Sequence, residues 1–250
     1  MKANRLIPRV LSLVLIALLL SCAFAQGEPA PVLGGTKIWP EFRGMPFGLS
    51  SAAVIYREAD AGLPIVCHKD GGAPIDISEA ATARAYPVVT AETIDALGKG
   101  AFLRYEFQDG LFTQATLYWP MENDAEALEW LRAVSEHAVS VFGAPDELAL
   151  RTADGEQLPA DPQDDLYALF DDAVEHYGET TPFTLWDLGK PFAFSDGAAE
   201  QYEGSLNAYV KTVEPETLEA ALGLEAGKPA VVLHIARLVS VHAAESYLSE

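Results

Sequence analysis

The sequence predicts an α+β fold, a mainly antiparallel β-sheet packed with two or three helices. Three observations predict it. Two β-forming runs, over 102–108 and 111–119, flank Asp109-Gly110, and such a pair supplies both left-handed positions of a two-residue hairpin turn. A stretch with apolar residues at three-to-four spacing follows directly, as a core-facing helix requires. The C-terminal third holds strand-like runs joined by turns, without the strand–helix alternation of a doubly wound sheet.

The first segment, 1–25, reads as a secretory signal peptide. Lys2, Arg5 and Arg9 precede an apolar run over 10–20 that only Ser12 interrupts. Those 11 residues fall short of the roughly 20 that a spanning helix needs. Two processing sites are open. Ala23-Phe24-Ala25 suits cleavage between Ala25 and Gln26, whereas Leu19-Leu20-Ser21-Cys22 resembles a lipobox, which would make a lipid-modified Cys22 the mature N-terminus. Residues 26–37, rich in Gly, Pro and Ala, read as a flexible linker, and 38–250 as a single α+β domain in which 151–181 is a candidate inserted element.

Within that domain Ser50 or Ser51 can cap a helix over 52–59, a short strand covers 63–68, and 71–85 reads as a polar loop region. After the hairpin, Asn123 or Asp124 caps a helix reaching 142. Its apolar stripe is Leu128, Leu131, Val134, Ala138 and Val141, and Gly143 and Pro145 end it. A further helix is expected over 162–177 with Asp161 as its cap, then strands over 183–187, 191–195 and 206–213 and a brief helix over 215–222. Residues 230–243 alternate Val232, His234 and Ala236 against Leu233, Ile235 and Arg237. They are too apolar for a solvent edge and read as a central strand. Val141 to Pro145 echoes His176 to Thr180, a repeat signal confined to helix ends.

Composition excludes some functions. Removing 1–25 takes three of the 16 basic residues and none of the 37 acidic ones, which moves the formal charge from −21 to −24. Such a surface repels phosphate backbones, so nucleic acid is not the expected partner. Without Cys22, Cys67 is the one remaining cysteine. No disulfide can then form within the chain, and stability must come from packing.

The chain offers no motif that names a reaction. His68, His137, His176, His234 and His242 form no zinc-binding spacing. Cys67 and His68 are adjacent, so on a strand they face opposite ways and cannot act as nucleophile and base. Residues 161–165 have the acids of a calcium loop but lack its glycine and closing glutamate. Glu106 or Asp109 near Glu126 is one of many carboxylate pairs in so acidic a chain. Phe102, Tyr105, Phe107, Phe112, Tyr118 and Trp119 crowd one hairpin, which fits a sheet packed under helices. The sequence thus assigns no catalytic residue, metal ligand or cofactor.

The order of the Phe42-to-Gly48 opening, the Tyr105-to-Leu111 hairpin, a helix ending Phe142-Gly143-Ala144-Pro145 and a strand bearing Trp186 resembles small exported bacterial proteins of uncharacterised function, some of them lipoproteins. The resemblance implies an envelope location and a compact α+β fold. With the export signal, it leads us to expect a non-catalytic binding module, periplasmic or secreted, whose partner is a protein or other envelope component. Membrane contact is expected only through lipid on Cys22. Two alternatives stay open: an extracytoplasmic hydrolase using acidic residues, and a calcium-stabilised binding module.

Overall fold

The structure, a computed structural model, describes residues 31–63, 65–68, 74–75, 87–152, 157–159, 180–188, 204–215 and 223–237. The readings placed on 1–25, 162–177, 191–195, 216–222 and beyond 237 lie outside the described residues. Within them the chain is the expected α+β fold, a largely antiparallel sheet with two helices.

A small sheet opens the domain: β1 (Leu33–Gly35), β2 (Pro40–Phe42) and β3 (Met45–Pro46). β1 therefore takes up part of the stretch that composition marks as linker, because a three-residue strand bounded by glycine and proline leaves no periodic signal. Helix α1 (Ser51–Asp60) follows, and the Ser50 side chain accepts from the Ala53 N–H at its start. Next come β4 (Ile65–His68), β5 (Pro74–Ile75), β6 (Val88–Thr90) and β7 (Ile94–Ala96). β5 lies inside the segment expected to be loop.

The main hairpin is β8 (Lys99–Gln108) and β9 (Leu111–Pro120). Asp109 at φ 53° and Gly110 at φ 80° form its left-handed turn. Leu97-Gly98, between β7 and β8, and Arg43-Gly44, between β2 and β3, use the same positive-φ pair. Helix α2 (Asp124–Phe142) is capped by Asn123, whose side chain accepts from the Glu126 N–H, and it buries Leu128, Leu131, Val134, Ala138 and Phe142. Val141, expected in the stripe, is only half-buried, and Phe142 completes the stripe instead. The second half continues with β10 (Glu147–Thr152), β11 (Gln157–Pro159), β12 (Thr180–Leu188), β13 (Gly204–Thr212) and β14 (Pro229–Arg237).

The strand order across the large sheet is β11-β10-β12-β13-β14-β9-β8-β6-β4-β5, with β7 paired to β8 off this path. The described elements form two like halves. Each begins with a helix and leaves it through Gly-x-Pro, Gly62 to Pro64 in one and Gly143 to Pro145 in the other. Each then lays strands from the edge of the sheet to its centre. Reading outward from the centre, β9-β8-β6-β4-β5 mirrors β14-β13-β12-β10-β11. The halves meet where β14 pairs with β9, so the strand expected to be central is central.

One core covers the helix side of this sheet. Leu103 and Tyr105 of β8, Leu117 and Trp119 of β9, and Leu233 and Ile235 of β14 are buried with Val54 and Ile55 of α1 and Leu131 and Val134 of α2. Each such side chain contributes roughly 1.5–3 kcal/mol on burial. Two indoles find acceptors there: Trp119 Nε1 donates to the Ala96 carbonyl at 3.2 Å, and Trp186 Nε1 to that of Gly143 at 2.9 Å.

Replacing Gly110 with alanine should cost about 1–2 kcal/mol, because a Cβ at positive φ meets the following carbonyl. Urea unfolding should show a lower midpoint with an unchanged slope.

Candidate functional site

The side of the sheet away from the helices carries the most concentrated polar chemistry among the described residues. Strand register builds it. Arg104 of β8 lies opposite Thr116 of β9, Thr116 opposite His234 of β14, and His234 opposite Asn207 of β13. These four alternate with the buried Leu103, Leu117, Leu233, Leu206 and Ala208, so they form one transverse row on the other face. Arg104 and Asn207, at its ends, are three strand spacings apart, about 14 Å.

The neighbouring rows differ in character. On one side run Phe102, Tyr118, Val232 and Tyr209, covered by Val213 and Leu224 from the β13–β14 connection. On the other run Glu106, Gln114, Ala236 and Ser205. The result is a polar band bordered by an apolar cluster. A hollow of about 220 Å³ beside that cluster, lined by Met121, Leu224 and Lys228 among others, is below the usual 300–1,000 Å³ of ligand pockets.

Within the row, His234 Nδ1 and Thr116 Oγ1 are hydrogen-bonded at 2.9 Å. Burial holds His234 below its ordinary value near 6.5; Glu106 opposes this and Arg104 adds to it, so the imidazole is neutral at pH 7. Arg104 Nη2 meets Glu106 Oε1 at 3.0 Å, with a quarter of the Arg104 side chain exposed. Asn207 Nδ2 donates to Ser205 Oγ at 3.4 Å. Arg104 Nε and Asn207 Oδ1 are both buried, and neither has a hydrogen-bond partner among the described residues. An unpaired buried group costs about 1–3 kcal/mol, so two in one row of one sheet call for a cause.

A second polar cluster lies under α1. Arg43 Nε meets Glu58 Oε1 at 3.0 Å and its Nη2 meets Oε2 at 3.4 Å, while the Tyr105 hydroxyl donates to the same Oε1. Glu58 is 3% exposed and Tyr105 fully buried. Burial, then the neighbouring carboxylate, pushes the Tyr105 hydroxyl well above its ordinary value near 10. Burial also works against the Arg43 charge, but Glu58 outweighs it and the guanidinium holds its proton more tightly than usual. This sealed cluster joins the β2–β3 turn, α1 and β8, and its role is positional.

Other residues singled out in the sequence do not converge. Cys67 and His68 occupy successive positions on β4. Glu126 takes Lys99 at 2.5 Å and the Glu122 N–H at 2.9 Å, Glu106 takes Arg104, and Asp109 sits in the hairpin turn. His137 is half-buried on α2 and lowered by burial. The hairpin aromatics divide, with Tyr105, Phe107, Phe112 and Trp119 in the core and Phe102 and Tyr118 in the other cluster. Cys22, Ala25, Gln26, His176, His242 and residues 161–165 lie outside the described residues. Among those described, no three His, Cys, Asp or Glu side chains gather to hold a metal ion, and no helix is long and apolar enough to cross a membrane. The row itself escaped sequence reading. Alternation in 230–243 placed His234 on a face with Val232 and Ala236, but nothing local says which strands lie beside it.

Comparison with family models, with curated proteins and with solved structures gave no match.

Replacing Arg43 with methionine strands the Glu58 carboxylate and should cost about 3–5 kcal/mol, while Arg43→Met with Glu58→Met should recover most of it. Chemical denaturation of the two variants checks this. Two pH dependences follow from the shifts. The Tyr105 value is raised on folding, so its stabilisation is complete below about pH 10 and is lost above it; Tyr105→Phe should flatten that alkaline loss. The His234 value is lowered, so the unfolded chain binds the extra proton and stability should fall as pH drops below about 6.5, less steeply in His234→Gln.

Proposed function

We propose that the chain is an exported envelope protein, secreted from a start at Gln26 or tied to a membrane at Cys22, whose domain is a non-catalytic binding module. The partner is taken on the polar band of the outer sheet face. One observation carries this reading: among the described residues, the row ends in a buried, unpaired donor, Arg104 Nε, and a buried, unpaired acceptor, Asn207 Oδ1. A partner that displaces the side chains covering these atoms, and offers an acceptor to the first and a donor to the second, would remove both penalties. The export signal and the acidic surface favour an envelope partner that is not a nucleic acid.

A hydrolase reading has one specific support, the Thr116 hydroxyl against His234, which has the form of nucleophile and base. Among the described residues the site lacks the rest of that chemistry. An acyl-transfer centre needs free N–H groups aimed at a developing oxyanion. Thr116 lies in the middle of β9, paired with β8 on one side and β14 on the other, so the backbone around it is committed to the sheet.

The stability of row variants separates a binding site from a structural network. Asn207→Leu should raise the unfolding free energy by about 1 kcal/mol, since it removes the unpaired Oδ1, whereas Arg104→Met also strands the Glu106 carboxylate and should not stabilise. A photo-crosslinking residue at Gln114 should give a discrete adduct in cells that both variants lose. Destabilisation by Asn207→Leu, with an adduct unchanged in both variants, would sink the reading. The mass of the mature N-terminal peptide decides between Gln26 and a diacylglyceryl Cys22.

A further inference from the structure

The β1–β2 connection presents Ile38 and Trp39 to solvent at 40% and 50% exposure. They are two of the three large hydrophobic side chains so exposed among the described residues; the third, Tyr56, is on α1. The tip is held in shape. The Thr36 N–H donates to the Trp39 carbonyl at 3.0 Å, and the Trp39 N–H to Thr36 Oγ1 at 3.1 Å. A Cβ on Gly35, at φ 75°, would lie 2.1 Å from that same carbonyl, so the turn tolerates no side chain there. Lys37 is tied to Asp146 at 2.6 Å, and the Arg237 guanidinium sits 5.0 Å from the Trp39 ring centroid. Trp39 is therefore an indole carried on a braced turn.

We propose that this tip is a membrane-contacting element, with Trp39 and Ile38 resting in the interfacial layer of the bilayer that holds the lipid on Cys22. The inference rests on the lipid-anchored form of the reading above. Chain length supports it. Val32 lies ten positions beyond Cys22, a reach of at most about 36 Å. Val32 leads into β1, and the tip is only a few residues further on, roughly 13 Å at strand rise. An indole suits the headgroup layer, where its ring is in an apolar setting and its N–H stays wet. Two side chains give little affinity alone, and the strongly acidic surface opposes approach to anionic lipid. Tethering changes this, because it makes the contact intramolecular and raises the effective concentration. The tip then orients the domain, while the lipid anchors it.

The test uses the full chain, produced with its signal in a bacterial host, purified from membranes and reconstituted into phosphatidylcholine vesicles with or without brominated acyl chains. The chain has four tryptophans, and Trp119 and Trp186 are fully buried. Brominated lipid should quench up to about a quarter of the emission, as expected for one interfacial indole, and Trp39→Phe should abolish that quenching. Vesicle-anchored chain with no quenching, or with equal quenching in Trp39→Phe, overturns the inference and leaves the lipoprotein reading intact. An N-terminal mass that begins at Gln26 removes the tether, and the inference falls with it while export stands.

Discussion

The pairing of β9 with β14 is the contact on which the rest of the structure depends. Each half of the sheet would otherwise end in a long apolar edge strand, whose unpaired N–H and C=O groups invite pairing with other chains. Joined from Ala230 opposite Pro120 to Ala236 opposite Gln114, the two edges cover one another. Because side chains alternate with a period of two, this single register decides both faces. It puts Trp119, Leu117, Val231 and Leu233 under the helices and Thr116 beside His234 on the other side. A slip of one residue would exchange the two sets.

Around that seam, the periphery is fastened by polar groups with apolar bodies. Glu58 is the clearest case, a carboxylate on α1 that accepts from both Arg43 and Tyr105. Arg43 itself sits at φ 51°, a costly conformation for a residue with a side chain, and its two bonds to Glu58 hold the turn that requires it. A buried cluster of this kind adds little to stability over an apolar replacement, but loss of any one member is expensive. It therefore fixes where the small sheet and α1 sit.

Much of this fold was legible locally. The Asp109-Gly110 turn, the capped helix from Asp124 and the apolar run of β14 each announce themselves within a dozen residues, because turn chemistry and periodicity are local properties. The equivalent turns at Leu97-Gly98 and Arg43-Gly44 were not seen, since leucine and arginine are poor predictors of positive φ and only the glycine hints at it. Nothing local marks Glu58, because its partners are 15 and 47 positions away. The polar row is harder still. Thr116 and His234 are separated by 118 positions, and only the meeting of the two halves makes them neighbours.

That row has a property its frame does not share. The like halves place β8 and β9 against β13 and β14 about a common centre, so Arg104 stands where Asn207 stands in the other half, and Thr116 where His234 stands. Two identical subunits would have to put the same side chain at both ends of such a row. A single chain is free of that constraint, and here a cationic donor occupies one end and a neutral acceptor the other. A nearly twofold scaffold thereby acquires a direction, and whatever lies across it can be read only one way round.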